Sequence, residues 1–291
     1  MSKIAILVDS SNNLTPAELT ELSVFSVNAP ILAGEHVYHE NIDWPTQEAF
    51  FDFQRSSEDV LTTSQVEPGV WLTKFDEIAE QGYTDVIVVS LSSAISGTFS
   101  TLEGLAETVT NINVHPWDSL IAAAGAGNQA RLAATMANAG HSLDKIFAQL
   151  TILRESTKVL FVVDDVRHLQ RTGRISNGAA FLGSLLNIKP MLTFDAEGKI
   201  VAIGKERQMK RAWASIQRSF ATVMETNQTP IRISLIDSNN PKLADQWAAE
   251  ITAQYQDQVI VERGPIGQFI SVHTGEKALG FIWAIDWKTL I

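Results

Sequence analysis

Ser92-Ser93-Ala94-Ile95-Ser96-Gly97-Thr98-Phe99-Ser100 is the stretch on which the reading of this chain turns. An apolar run of β type, Val86-Ile87-Val88-Val89, leads into it, and a segment of helical character over 102–109 follows. A hydroxyl-rich turn with one glycine therefore stands where a strand hands over to a helix. Ser and Thr at such a place cap helices, Gly97 allows a close backbone approach, and N–H groups at a helix start attract an anion. No P-loop lysine and no G-x-S-x-G elbow accompanies the turn. Its chemistry suits holding an oxyanion rather than a triphosphate or attacking a carbonyl. Capping alone would account for such a turn; the five Ser or Thr residues between Ser92 and Ser100 set anion binding beside it.

Outward from this turn the chain alternates strand and helix. A buried strand is expected over 4–8, followed at once by Asp9-Ser10-Ser11. Pro16 opens a short helix to residue 22, and 25–32 reads as one extended segment. A short helix is expected over 46–53. Thr62-Thr63-Ser64-Gln65 reads as a turn or cap before a helix at Pro68, on which Trp71, Leu72, Phe75 and Ile78 recur at helical spacing. A short strand over 113–115 precedes Asp118-Ser119, and an Ala-rich helix runs on to about residue 138. Such alternation predicts α/β architecture, most simply a parallel sheet with helices on both faces. Ligands in open α/β sheets sit beyond the carboxyl ends of strands. The turns at Asp9, at Ser92–Thr98 and at Asp118-Ser119 are thus expected to line one crevice.

From Lys189 the texture changes. Asp195-Ala196-Glu197-Gly198 between two short apolar runs signals a hairpin. An amphipathic helix is expected over 209–224, and strands over 231–236, 259–261, 269–273 and 279–283. The fold expected is two α/β domains: residues 1–158 as a parallel sheet flanked by helices (α/β/α), and 159–291 as a mixed sheet with helices on one side.

Composition limits the function classes. The chain has 291 residues with net charge −11, which argues against a nucleic-acid partner. It has no cysteine, so thiol catalysis, disulfides and Cys-zinc sites are excluded. The N-terminal apolar run is too short for a signal peptide and ends at Asp9, and no apolar stretch is long enough to span a membrane. A soluble cytoplasmic protein is expected. His36 and His39 lack metal-ligand spacing, and no metal site is expected. Gly125-Ala126-Gly127-Asn128-Gln129-Ala130 matches G-x-G-x-x-A. Residues 120–124 read as the start of the same helix, however, so close helix packing explains the glycines better than a dinucleotide. Ser96, His273 and Asp118 or Asp9 could be drawn as a hydrolase triad, but a triad is recognised only by geometry.

Taken in order, these pieces resemble the DegV family of bacterial fatty-acid-binding proteins. The motifs are Asp9-Ser10-Ser11, Thr63-Ser64-Gln65 with Pro68-Gly69, Ser92–Thr98, Asp118-Ser119, Gly173-Arg174-Ile175-Ser176, Leu186-Asn187-Ile188-Lys189-Pro190, and His273-Thr274-Gly275 with Ala278-Leu279-Gly280. The resemblance implies a buried long-chain fatty acid whose carboxylate is hydrogen-bonded by Thr63 and Ser96, with Arg174 and His273 in the same polar network. Gly97, Thr98, Asp118 and Ser119 complete the candidate site. It also implies a non-catalytic carrier, without a cofactor, that presents its lipid to a separate ATP-dependent fatty acid kinase for phospholipid synthesis. An esterase using Ser96 and His273, or a carrier of another small kinase substrate, are the alternatives. The apolar wall is expected from a helix over 179–186. Three loops depart from the family pattern. Gln65-Val66-Glu67-Pro68 replaces Gln-Pro-Ser-Pro, Thr172-Gly173-Arg174 replaces Gly-Gly-Arg, and Glu276-Lys277 replaces Pro-Gly after His-Thr-Gly.

Overall fold

The computed structural model describes residues 3–176 and 188–291. The helix expected over 179–186 lies outside the described residues.

The first half of the chain runs β1 (Ile4–Asp9), α1 (Pro16–Glu21), β2 (Val24–Val27), β3 (Pro30–Ala33), β4 (His36–His39), α2 (Gln47–Ser56), β5 (Thr62–Thr63), α3 (Pro68–Glu80), β6 (Asp85–Ser90), α4 (Thr98–Ala106), β7 (Asn113–Asp118), α5 (Ala124–Asn138) and α6 (Leu143–Ser156). It continues with β8 (Lys158–Val162), α7 (Arg167–Arg171), β9 (Lys189–Phe194), β10 (Ile200–Glu206), α8 (Met209–Thr226), β11 (Ile231–Asp237), α9 (Pro241–Tyr255), β12 (Val259–Pro265), α10 (Gln268–Thr274) and β13 (Leu279–Ile285).

Strands β2-β1-β6-β7 form a wholly parallel sheet. Every residue of β1 and β6 is buried, as a parallel sheet covered on both faces demands. Their side chains alternate between two layers. Ala5, Leu7, Val86 and Val88 pack against Trp71, Phe75 and Ile78 of α3 and Leu102 of α4. Ile4, Ile6, Val8, Ile87 and Val89 pack against α5 and α6. The fold is α/β, as the alternation predicts.

The second sheet has the order β10-β9-β8-β13-β11-β12 and mixes parallel with antiparallel pairs. One face carries Leu160, Val162, Ile233, Leu235 and Phe281 and is covered by α8 and α9, whose Trp213 and Trp247 stack with centroids 4.3 Å apart. The other face, with Val159, Phe161 and Ile282, turns toward residues 121–126 of the first sheet's connections. Period-two alternation in one short strand thus builds both a helix-covered core and a second apolar surface.

Several local expectations are corrected. The segment over 25–32 is two strands: β2 runs parallel to β1, whereas β3 joins β4 and β5 in a small antiparallel sheet. Thr62-Thr63 is therefore a strand rather than a cap. Leu72 lies on the outer face of α3, 38% exposed. Residues 120–123 form a turn before α5, with positive φ at Leu120 and Ala123. The segment expected as a strand over 269–273 is helix α10, enclosed in the protein, with Phe269 and Val272 packed into the same cluster as Ala5 and Leu7.

Candidate functional site

The site is a narrow pocket between the two sheets, with about 840 Å³ of unfilled space including its open part. Among its lining residues are Thr63, Gln65, Ser96, Arg174 and His273; Leu91, Ile95, Ile121, Phe161, Ile200, Ile236 and Ile282 supply apolar wall. Of these polar lining residues, Thr63, Ser96, Arg174 and His273 are candidates from the sequence and Gln65 is not; the apolar ones were missed. Their only signal was the alternation of Val159 and Phe161 with Leu160 and Val162, which assigns two residues of β8 to each face.

Four chain segments bring the polar end together. Thr63 is placed by its pairing with Ile31 of β3. Its hydroxyl lies 2.8 Å from Nε2 of His273 on α10. Helix α10 is anchored at its start by Glu40, whose carboxylate accepts the N–H groups of Gln268 (2.9 Å) and Phe269 (3.0 Å). Burial drives Glu40 up to about 7, against those two hydrogen bonds, and nearby Asp9 adds to the rise. His273 is pushed the other way, down to about 3, first by burial and then by the charges of Arg174 and His168. The imidazole is therefore neutral at physiological pH. Its Nδ1 is buried and has no hydrogen-bond partner among the described residues.

Ser96 sits in the turn between β6 and α4. Its hydroxyl is 3.0 Å from that of Thr98 and accepts the Thr98 N–H at 3.3 Å. The cap residue of α4 is Gly97, which makes no side-chain capping bond. Its lack of a Cβ serves a side chain: a Cβ there would stand 3.1 Å from Oε1 of Gln65, which also accepts from Thr101. Arg174 donates from Nε to the Ile95 carbonyl at 3.4 Å and from Nη1 to that of Thr172. It thereby sets one cation at the polar end.

The remaining candidates lie elsewhere. Gly97 and Thr98 support the Ser96 turn without lining the pocket. Asp118 holds backbone: its Oδ1 accepts the N–H groups of Ser93 (3.2 Å) and Leu120 (2.9 Å). The Ser119 hydroxyl donates to the carbonyl of Ile121. Neither lines the pocket. The expectation that the Asp9, Ser92–Thr98 and Asp118-Ser119 turns share one crevice is thus corrected. Leu91, Ile95 and Ser96 after β6 and Ile121–Ala123 after β7 line the pocket, whereas Asp9 faces a different groove. The triad reading finds no support in the bonding either, since His273 Nε2 engages Thr63, Nδ1 meets no acid among the described residues, and Ser96 pairs with Thr98.

Gly125 and Gly127 lie within α5, and a Cβ on Gly127 would come 2.2 Å from the Asn12 carbonyl oxygen. Close packing explains that glycine, as the sequence suggested. Among the described residues no cluster of three metal-ligating side chains occurs, and no helix is long and apolar enough to cross a membrane.

The model of the DegV family, described as uncharacterised, matches residues 3–286. The chain belongs to the DegV family. A DegV domain-containing protein of Halalkalibacterium halodurans is 34% identical over 286 residues, covering 98% of this chain and all of that protein. Among solved structures, DegV from Bacillus subtilis, a fatty acid binding protein, superposes with a TM-score of 0.89 at 31% identity, over 98% of this chain and 100% of that one. A fatty acid binding DegV family protein from Streptococcus agalactiae does so with a TM-score of 0.87 at 28% identity, over 98% and 99%. DegV relatives of this architecture are thus described as fatty-acid-binding proteins.

Proposed function

We propose that this DegV protein binds one long-chain fatty acid in the pocket between its sheets. Its carboxylate lies at Thr63, Ser96, Arg174 and His273, and its tail runs along the inner face of the mixed sheet. The observation that carries this reading is the polarity of the pocket: hydroxyls, a neutral imidazole and one guanidinium at one end, aliphatic and aromatic side chains along the rest.

The energetics favour such a ligand. Each buried CH₂ contributes ~0.8 kcal/mol, so the tail supplies most of the affinity. A carboxylate taken out of water is costly unless it is paired and hydrogen-bonded. Thr63 and Ser96 supply hydroxyl donors and Arg174 a charge-assisted one. Neutral His273 adds a donor without a second buried charge.

Presentation of the lipid to an ATP-dependent fatty acid kinase in the cytoplasm completes the proposal. This step rests on membership of the DegV family. Native mass spectrometry of protein purified from bacteria tests the binding. A co-purifying fatty acid, or uptake of added palmitate or oleate, is expected; the absence of both overturns it. Acyl phosphate formed only when the loaded protein meets such a kinase and ATP tests the second step.

A further inference from the structure

The strand register orders the pocket from end to end. Phe161 of β8 pairs with Gly280, and Gly280 pairs with Ile236. Two residues further along, Val159 pairs with Ile282, and the Thr193 hydroxyl next to Phe194 donates to the Val159 carbonyl. In the opposite direction the sheet ends at Asp237, and the hydroxyl of the next residue, Ser238, is 2.8 Å from that of Ser271 on α10. Helix α10, with His273, therefore stands at the Ser238 end. Val159 and Ile282 lie level with Ser234, four residues away and roughly 13 Å at the rise of a strand. His273 and Val159 thus stand toward opposite ends of the channel, and the Ser92–Ser96 turn, tied to the β9–β10 hairpin where the Ser92 hydroxyl donates to the Gly198 carbonyl, runs along its side.

The Val159 end is closed by little. Ile121, Val159 and Phe194 line the pocket and also line a groove on the outer surface whose rim carries Arg154, Glu155, Lys158 and Asp195. Ile121 and Val159 are 5% and 6% exposed, whereas Phe194 is only half-buried, its ring centroid 6.3 Å from that of Phe161. Ile121 is held by its carbonyl, which accepts the Ser92 N–H at 2.7 Å, and Leu120 beside it lies against the β9–β10 turn at Gly198. Phe194 ends its strand, and its half-buried ring lies with Ile121 and Val159 in the partition between interior and groove.

We propose that Phe194, backed by Ile121 and Val159, is the stop at the tail end of the acyl channel and sets the longest chain the protein accepts. This rests on the fatty-acid reading above. Removing the ring joins the pocket to the groove and lets the end of a longer chain cross the partition; enlarging the ring shortens the channel.

The test measures the affinity of wild type, Phe194→Ala and Phe194→Trp for myristate, palmitate, stearate and arachidate by displacement of a fluorescent fatty acid. Phe194→Ala is expected to raise the ratio of arachidate to palmitate affinity by roughly tenfold for every two methylenes newly buried. Phe194→Trp is expected to shift the ratio toward myristate. Ratios within one protein are insensitive to a general loss of stability, and the Trp variant still reports if the Ala variant fails to fold. The same chain-length profile in all three proteins overturns the stop. Wild type that binds none of the four overturns the underlying reading instead, and is seen without either variant.

Discussion

Thr63 Oγ1 and His273 Nε2 stand 2.8 Å apart across 210 residues of chain, and that contact joins the small antiparallel sheet to helix α10 at the polar end of the pocket. It fixes the imidazole without charging it. With Ser96 and Arg174 at the same end, the group offers a carboxylate two hydroxyls and one cation. A hydrogen bond to a charged group contributes ~1.5–3 kcal/mol. Thr63→Val and Ser96→Ala are each expected to weaken palmitate binding about tenfold or more, and the pair more than either alone. Titration with a fluorescent fatty acid measures the affinities, and thermal melts should stay within about 4 °C of wild type. Unchanged affinity in the double variant would remove both residues from the site.

His273 and Glu40 give stability a pH dependence of opposite signs. His273 is pushed from 6.5 to about 3, so the unfolded chain takes up a proton before the folded one does. Its contribution is whole above 6.5 and is lost as pH falls from there toward 3, at about 1.4 kcal/mol per pH unit. Glu40 is raised from 4.5 to about 7, so its contribution is whole below 4.5 and is lost as pH rises toward 7. Asp9, raised by burial, acts in the same direction as Glu40. Urea unfolding across this range should show His273→Gln losing less stability on acidification than wild type, and Glu40→Gln losing more. Parallel curves for all three proteins would contradict the assignment.

Why some of this was legible in sequence and some was not follows from particular residues. The runs at Ile4 and Val86 are apolar on both faces, which only a covered parallel strand requires, so the first sheet could be read directly. Helix α10 could not. Its Phe-Ile-Ser-Val-His run has β-type composition, but it is enclosed on nearly every side and its start is satisfied by Glu40, more than two hundred residues away. The turn before α5 was hidden because Leu120 and Ala123 adopt positive φ without a glycine or asparagine to announce it. Asp118 and Ser119 looked like ligands because acid and hydroxyl turns serve anions and backbone alike; only the bond partners separate the two uses. The apolar wall combines one face of the mixed sheet with Leu91, Ile95 and Ile121 from the turns after β6 and β7, and no single motif carries it.

Asp118 offers a clean separation of structural from binding roles. Its carboxylate holds the turns after β6 and β7 together through the N–H groups of Ser93 and Leu120. Asp118→Ala should cost ~1–3 kcal/mol of folding stability, since both donors lose their acceptor. Palmitate affinity should change less than about threefold, a shift well under 1 kcal/mol. Denaturation and binding measured on one preparation decide between the roles. A large loss of affinity with unaltered stability would return Asp118 to the site.

Two glycines of α5 should respond differently to the same added methyl group. At Gly127 a Cβ would meet the Asn12 carbonyl oxygen at 2.2 Å, and backbone cannot yield without moving α5 off the β1–α1 connection. Gly127→Ala is expected to cost ~3 kcal/mol and lower the melting temperature by about 6–12 °C. At Gly125 the obstacle is Cδ1 of Ile121 at 2.7 Å, the far end of a side chain that can rotate away. Rotation relieves the clash but moves a wall of the pocket. Gly125→Ala should therefore melt within about 4 °C of wild type while changing fatty-acid affinity. Calorimetry with palmitate titration on both variants tests the pair; equal losses of stability at the two sites would mean that Ile121 is as rigid as backbone.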